Sequence, residues 1–298
     1  MRDNSVLPLF RDLFFANARI FKKTFLDVES EFGPWWQETF DDYLHRFFGR
    51  DEGALVDAVH GYAGYAIDAM RLQQRFNRIR RYEPQSYEEA CDRVYLNEDY
   101  MMRLYLPGIL ISHFLWRHHC RQLQYYQEQF LPLLESVEDK TFYEVGTGTG
   151  FYSVQLLHHQ PLFQGTGIDI SPASRSFTRR QVAAWGLEER FTSSDHNIVE
   201  NALEPRSCIQ SIEVLEHFED PQLFLAPLRQ MLRPGGYGFV TAALTAPQAD
   251  HLFLFWTADD VIQQLAEAGF RVEDYIEEAA YPAREDEIVP KVAAFIVS

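Results

Sequence analysis

The chain has 298 residues, 46% hydrophobic and 15% aromatic, enough to bury a core along its whole length, which argues against extended disorder. Its 44 acids against 27 bases give a formal charge of −17, and neither half is basic, so a nucleic-acid footprint is excluded as a leading reading. Cys91, Cys120 and Cys208 are odd in number and lack a CxxC pair, which points to reduced thiols in a cytoplasmic protein rather than disulfides or a zinc knuckle.

The start of the chain carries Asp3, Arg11 and Asp12 among its apolar residues and has no signal-peptide core. The most apolar stretch, 104–116, is too short to span a bilayer, so no membrane association is expected. From residue 5 to about 135, apolar residues recur at helical spacing and prolines punctuate the segment. This pattern predicts helices over 5–28, 34–48, 52–80, 86–104 and 108–134. The basic run "RFNRIRR" at 75–81 reads as the solvated face of one of them. Aromatic patches at 35–36, 60–66, 112–119 and 125–126 read as core, with His113, His118, His119 and Tyr126 the candidates for bordering a pocket.

After Lys140 short β-rich runs alternate with amphipathic helices, the pattern of a doubly wound sheet. Strands are predicted at 141–145, 165–170, 190–195, 208–214, 236–243, 271–278 and 291–298. Helices fall between them at 151–159, 173–185, 221–232 and 257–268. The chain thus divides into an all-α unit over 1–139 and an α/β unit over 140–298.

"YEVGTGTGFY" at 143–152 ends the first strand and opens a helix with Gly146, Gly148 and Gly150. Such a turn presents free backbone N–H groups to a polar ligand, and its GxGxG spacing differs from the GxGxxG that admits a pyrophosphate. Asp169 ends the second strand, where a carboxylate can accept from two ribose hydroxyls. Asp195 ends the third and can accept from an adenine amine.

Taken in order, "EVGTGTGFYSVQLL", "GTGIDISPASRSF", "SSDHN", "IEVLEHFEDP" and "LRPGGYGFVTAAL" resemble the successive motifs of class I S-adenosylmethionine-dependent methyltransferases. The resemblance covers 140–298. It implies a Rossmann-like seven-stranded sheet with a reversed last hairpin, preceded here by the all-α domain. It also implies S-adenosylmethionine over Gly146, Thr147, Gly148 and Gly150, the ribose on Asp169 beside Ile170, and the adenine near Asp195 and His196. Glu144 and Glu213 would approach the cofactor from the ends of their strands.

"IEVLEHFEDP" also sets Glu213, Glu216 and His217 at the edge where the methyl group should point. One reading is purely structural. Another takes His217 as general base, assisted by Glu216, because imidazole titrates near neutral pH. With His251, the same residues resemble the divalent-metal sites of plant small-RNA end methyltransferases and, in part, of ubiquinone-pathway O-methyltransferases.

The leading expectation is methyl transfer to a small molecule at O, N or C in biosynthetic or secondary metabolism. The helical unit would serve as substrate pocket and lid, and could equally support a homodimer. Two alternatives stand beside it: intramolecular cyclisation of the cofactor with release of methylthioadenosine, and a non-catalytic scaffold that keeps the fold.

Overall fold

Apolar spacing of three and four residues folds the first part of the chain into helices whose inward faces are almost continuously aromatic. In the computed structural model, which describes residues 5–83 and 85–298, these are α1 (Leu7–Asn17), α2 (Lys22–Phe47) and α3 (Glu52–Ile79). The expected single helix over 5–28 is divided, because Ala18 leaves helical geometry and the Asn17 side chain donates to the Leu13 carbonyl. Gly33, at φ +57°, kinks α2 just before Pro34, which cannot donate the hydrogen bond a regular helix needs there. Asp51 caps α3 by accepting from the Ala54 amide.

The next segment is less regular than its periodicity suggests. Short helices α4 (Tyr87–Ala90) and α5 (Glu98–Tyr100) each run into a π-helical turn, Cys91–Tyr95 and Met101–Tyr105. The second continues into α6 (Leu106–Leu115), and α7 (Arg117–Tyr125) passes through a third wide turn into α8 (Leu131–Leu133). A π turn rotates the following side chains relative to a straight helix. Here the turns carry Tyr95, Met101 and Tyr105 to the wall of a cavity.

Beyond Lys140 the seven expected strands appear: β1 (Thr141–Val145), β2 (Gln164–Ile168), β3 (Phe191–Ser194), β4 (Arg206–Ser211), β5 (Leu232–Leu244), β6 (Val272–Ala279) and β7 (Lys291–Val297). Helices α9 (Phe151–His159), α10 (Pro172–Ala184), α11 (Gln222–Gln230) and α12 (Ala258–Glu267) connect them. The order is β3-β2-β1-β4-β5-β7-β6, parallel except for β7, which runs antiparallel to both neighbours. The order reverses between β1 and β4, which opens a crevice at their carboxyl ends.

One aromatic core crosses residue 140. Phe10, Phe14, Phe40 and Phe114 of the helices join Phe142, Phe151, Tyr152 and Phe239 of the α/β part. Tyr43 adds a hydrogen bond to Gln181, and Trp36 donates its Nε1–H to the Phe114 carbonyl at 2.5 Å. Within the basic run Arg75 pairs with Glu83, and Arg80 donates to the Asp286 carbonyl. Cys120 and Cys208 are buried, Cys91 is partly so, and all three are free thiols. No helix among the described residues is long and apolar enough to cross a membrane.

Candidate functional site

The loop between β1 and α9 turns on three glycines with positive φ: Gly146 at +75°, Gly148 at +51° and Gly150 at +75°. Two of them are glycine for packing. A Cβ on Gly146 would lie 2.5 Å from Val214 Cγ2, and one on Gly150 would lie 2.6 Å from Thr178 Cγ2. Gly148 differs, because nothing lies within 4 Å of where its Cβ would stand. That open space lies on a cavity of about 1020 Å³.

Asp169 stands across this space at the end of β2. Its Oδ2 accepts from the Gly148 amide at 2.9 Å and its Oδ1 from the Ser171 amide at 2.8 Å. Burial pushes its carboxyl up while these donors pull it back. Each oxygen retains a lone pair, so the carboxylate can still accept from two further hydroxyls. Ile170 and the ring of His196 also line the cavity, the latter held by its Nε2 at 2.6 Å from the Asn201 carbonyl. Asp195 does not line the cavity: its side chain is 80% exposed, 4.0 Å from Arg175, and its neighbours Asn197 and Ile198 face inward instead.

Glu144, on β1, is buried beneath the loop, where it accepts from Ser153. Burial pushes its carboxyl up to about 8. Its neighbour Gln210 accepts from the Tyr126 hydroxyl at 2.7 Å. Tyr126 therefore belongs to the joint between helices and sheet and does not border the cavity.

At the end of β4 the chain turns sharply, and Glu213 sits at φ +52°, a conformation rare for a residue with a side chain and often found at functional sites. Its amide donates to Thr241 Oγ1 at 2.9 Å, and its Oε1 lies 3.4 Å from His119 Nε2. Ser112 donates to the Ile109 carbonyl, so its Oγ accepts from His119 Nδ1 at 3.0 Å, leaving Nε2 unprotonated toward Glu213. Burial pushes the Glu213 carboxyl up to about 7 and His119 down to about 3.

Glu216, His217 and His251 come together, with donor atoms within 4.8 Å of one another. Glu216 is wholly buried behind the cavity wall, its Oε1 accepting from the Ala243 amide at 3.2 Å and its Oε2 without a partner. His251 Nδ1 lies 2.7 Å from the Ala246 carbonyl and burial pushes the ring down to about 3, so its Nε2 keeps a lone pair. His217 is fully engaged. Its Nδ1 faces the Asp250 carbonyl at 3.1 Å and its Nε2 the Glu213 carbonyl at 3.0 Å. Both ring nitrogens are thus occupied by backbone carbonyls.

Asp250 accounts for this arrangement and carries no signal in the sequence beyond standing next to a histidine. It is fully buried, accepts from the Tyr105 hydroxyl at 2.8 Å, and lies 3.5 Å from His217 Nδ1. Burial alone would raise its carboxyl, yet the His217 and His251 rings hold it below the usual range. As arranged, Glu216 and His251 offer open donor atoms and His217 does not. Two open protein donors make a sparse site, and Glu213 is directed to His119 instead.

The other wall of the cavity is helical. Tyr62, Tyr65, His113, His118 and His119 reach it from α3, α6 and α7, and Trp116 from the joint between the last two. Two of the four aromatic patches in the sequence therefore border the cavity, at 60–66 and 112–119. The tryptophan pair at 35–36 and the tyrosine pair at 125–126 do not.

A family profile described as a methyltransferase domain matches residues 116–275, more than half of the chain. The Nitrosococcus oceani protein named ubiquinone biosynthesis O-methyltransferase is 29% identical over 131 residues, 44% of this chain and 54% of that protein. An uncharacterized protein of Synechococcus is 32% identical over 95 residues, 31% of this chain and 23% of that protein. The chain thus spans about a quarter and about half the length of these curated relatives. Among solved structures, human N-acetylserotonin methyltransferase superposes with a TM-score of 0.56 at 12% identity, over 80% of this chain and 69% of that one. Mitomycin 7-O-methyltransferase does so with a TM-score of 0.54 at 13% identity, over 82% and 71%. At such identities the structural likeness shows a shared fold, helical front included.

Proposed function

The chain belongs to the methyltransferase-domain family, and we propose that it transfers a methyl group from S-adenosylmethionine to a small molecule. One observation carries the reading: the open face of Gly148 and the Asp169 carboxylate border the same cavity as the aromatic wall of α3, α6 and α7. A cofactor and an acceptor therefore have adjoining places. The curated Nitrosococcus relative, an O-methyltransferase by name, supports the same class.

The residues fit this cofactor. Asp169 would take the ribose, Ile170 and His196 the adenine, and the loop amides with Thr147 and Glu144 the amino-acid end. When bound, S-adenosylmethionine supplies a methyl group already activated on a sulfonium. What remains for the chain is to align the acceptor, keep water out and receive a proton from an O–H or N–H acceptor. Glu213 and His119 are the polar pair on the cavity wall that can serve that proton. No step is assigned to a metal. In this reading residues 1–139 form the acceptor side and 140–298 the cofactor side.

Calorimetry with S-adenosylhomocysteine tests the premise, and a folded protein that fails to bind it would end the proposal. Analysis of spent cofactor then separates reactions: S-adenosylhomocysteine marks methyl transfer and methylthioadenosine marks intramolecular displacement.

A further inference from the structure

One segment of the helical unit, residues 85–105, is fastened to the carboxyl edge of the sheet beyond the ends of three strands. After β2, the Ser171 hydroxyl donates to the Tyr95 carbonyl at 3.0 Å. After β4, Glu219 Oε1 accepts from the Tyr87 amide at 3.0 Å, and the Tyr87 ring stacks on Phe218 at 5.5 Å and 15°. After β5, the Ala249 carbonyl accepts from Gln85 Nε2 at 2.8 Å and from Arg93, and Asp250 accepts from Tyr105.

Asp169 stands at the first of these loops and Val214 and Phe218 in the second, and all three line the cavity. A segment tied to both loops therefore spans the slot between them, where the face of Gly148 is open. Of the rings this segment brings to the cavity, Tyr87 is only partly buried, so it keeps surface that a ligand can cover. Burial raises its hydroxyl, and Cys91 and the Asp169 carboxylate raise it further, which sets the ring within electrostatic reach of Asp169.

The fastening is uneven along the segment. Its far end is anchored by Tyr105 on the wholly buried Asp250. At the near end, the Tyr87 amide bonds to Glu219 on the exposed surface, where water competes for both partners. The two π turns, Cys91–Tyr95 and Met101–Tyr105, lie between these ends, and such turns interrupt the regular ladder that would make the segment one stiff rod. The end that carries Tyr87 is thus the end that can part from the sheet.

We infer that the ring of Tyr87, supplied by the helical unit, closes over the nucleoside held by Asp169, and that residues 85–105 form a strap that lifts at this end when the cofactor leaves. The inference rests on the methyltransferase reading for the identity of the ligand. It goes beyond that reading by giving the helical unit a share in holding the cofactor as well as the acceptor.

The experiment measures S-adenosylhomocysteine in the full chain, its affinity by calorimetry and its release by chasing tritiated ligand with an excess of unlabelled ligand. Tyr87→Ala should bind about tenfold or more weakly, and Tyr87→Phe, which keeps the ring, should stay within about threefold of the parent. Glu219→Ala changes a side chain outside the cavity and removes one tie of the strap, so it should release the ligand about threefold or more faster. Thermal unfolding without ligand confirms that each variant is folded. Parental affinity in Tyr87→Ala, a loss in Tyr87→Phe equal to that in Tyr87→Ala, or release from Glu219→Ala at the parent's rate would each overturn the inference and leave the methyltransferase reading standing. A parent chain that does not bind S-adenosylhomocysteine would overturn that reading and this inference with it.

Discussion

The Gly148 amide donates to Asp169 Oδ2 at 2.9 Å, so the loop after β1 and the end of β2 are joined directly, beside the crevice that opens where the strand order reverses. A ligand lying over Gly148 meets a carboxylate already oriented by two backbone amides. Asp169→Ala removes the acceptor for two hydroxyls and should weaken S-adenosylmethionine binding by about 1.5–3 kcal/mol, roughly ten- to a hundredfold. Calorimetry checks this, and unchanged affinity in a folded variant would remove the ribose assignment.

The loop glycines should separate into two kinds. Gly150→Ala brings a methyl against Thr178 Cγ2 at 2.6 Å on top of the cost of positive φ, so it should lower the urea midpoint markedly. Gly148→Ala carries only the φ cost, about 1–2 kcal/mol, but its methyl enters the open space of the cavity. Its larger effect should be on cofactor affinity. A Gly148→Ala protein that binds cofactor as tightly as the parent would show that the ligand does not lie on this face.

Stability should fall between about pH 7.3 and 8. Glu144 is held protonated up to about 8 by burial, whereas an unfolded glutamate releases its proton near pH 4.3. A raised carboxyl stabilises the native state fully below the unfolded value, and that contribution is lost as pH climbs to the folded value. The lowered His113, His118, His119 and His251 act in the opposite sense up to about pH 7, where the unfolded chain still takes up protons that the buried rings refuse. Above about pH 7.3 that opposition has largely faded and the carboxyl slope prevails. Tm measured from about pH 7.3 to 8 should decline, and Glu144→Gln should flatten the decline. A parent Tm that rises over this window would contradict the protonated Glu144.

His217 should behave as a structural residue that ties two backbone carbonyls together. His217→Ala strands the carbonyls of Glu213 and Asp250 and removes the ring beside the Asp250 carboxylate, at a cost of about 1–3 kcal/mol in denaturant unfolding. Exhaustive chelation should leave cofactor binding and turnover unchanged, because both ring nitrogens of His217 face backbone carbonyls. Unaltered stability with turnover about a hundredfold lower would restore the ring as the general base. Loss of activity with EDTA that a divalent ion reverses would restore the metal site.

Local information in the sequence was sufficient for the architecture. Strand and helix periodicities changed at Lys140, and the glycines of 146–150 and the acids at 144, 169 and 213 stood at strand ends because alternation and turn chemistry are properties of neighbouring residues. The same reasoning could bring Glu216, His217 and His251 into one cluster, since all follow β4 or β5 at one sheet edge.

Which atoms in that cluster remain free was decided only in three dimensions. It depends on Asp250 folding back beneath His217 and on Tyr105 arriving from a π turn, contacts separated by 33 and 145 residues. The cavity wall has the same origin. Aromatic spacing alone does not distinguish Trp36, which is buried in the core, from Trp116, which faces the cavity. The difference lies in how each helix is rotated when its inward face packs against β1, α9 and its neighbours, and that rotation follows from the fit of side chains across the whole interface rather than from any segment by itself.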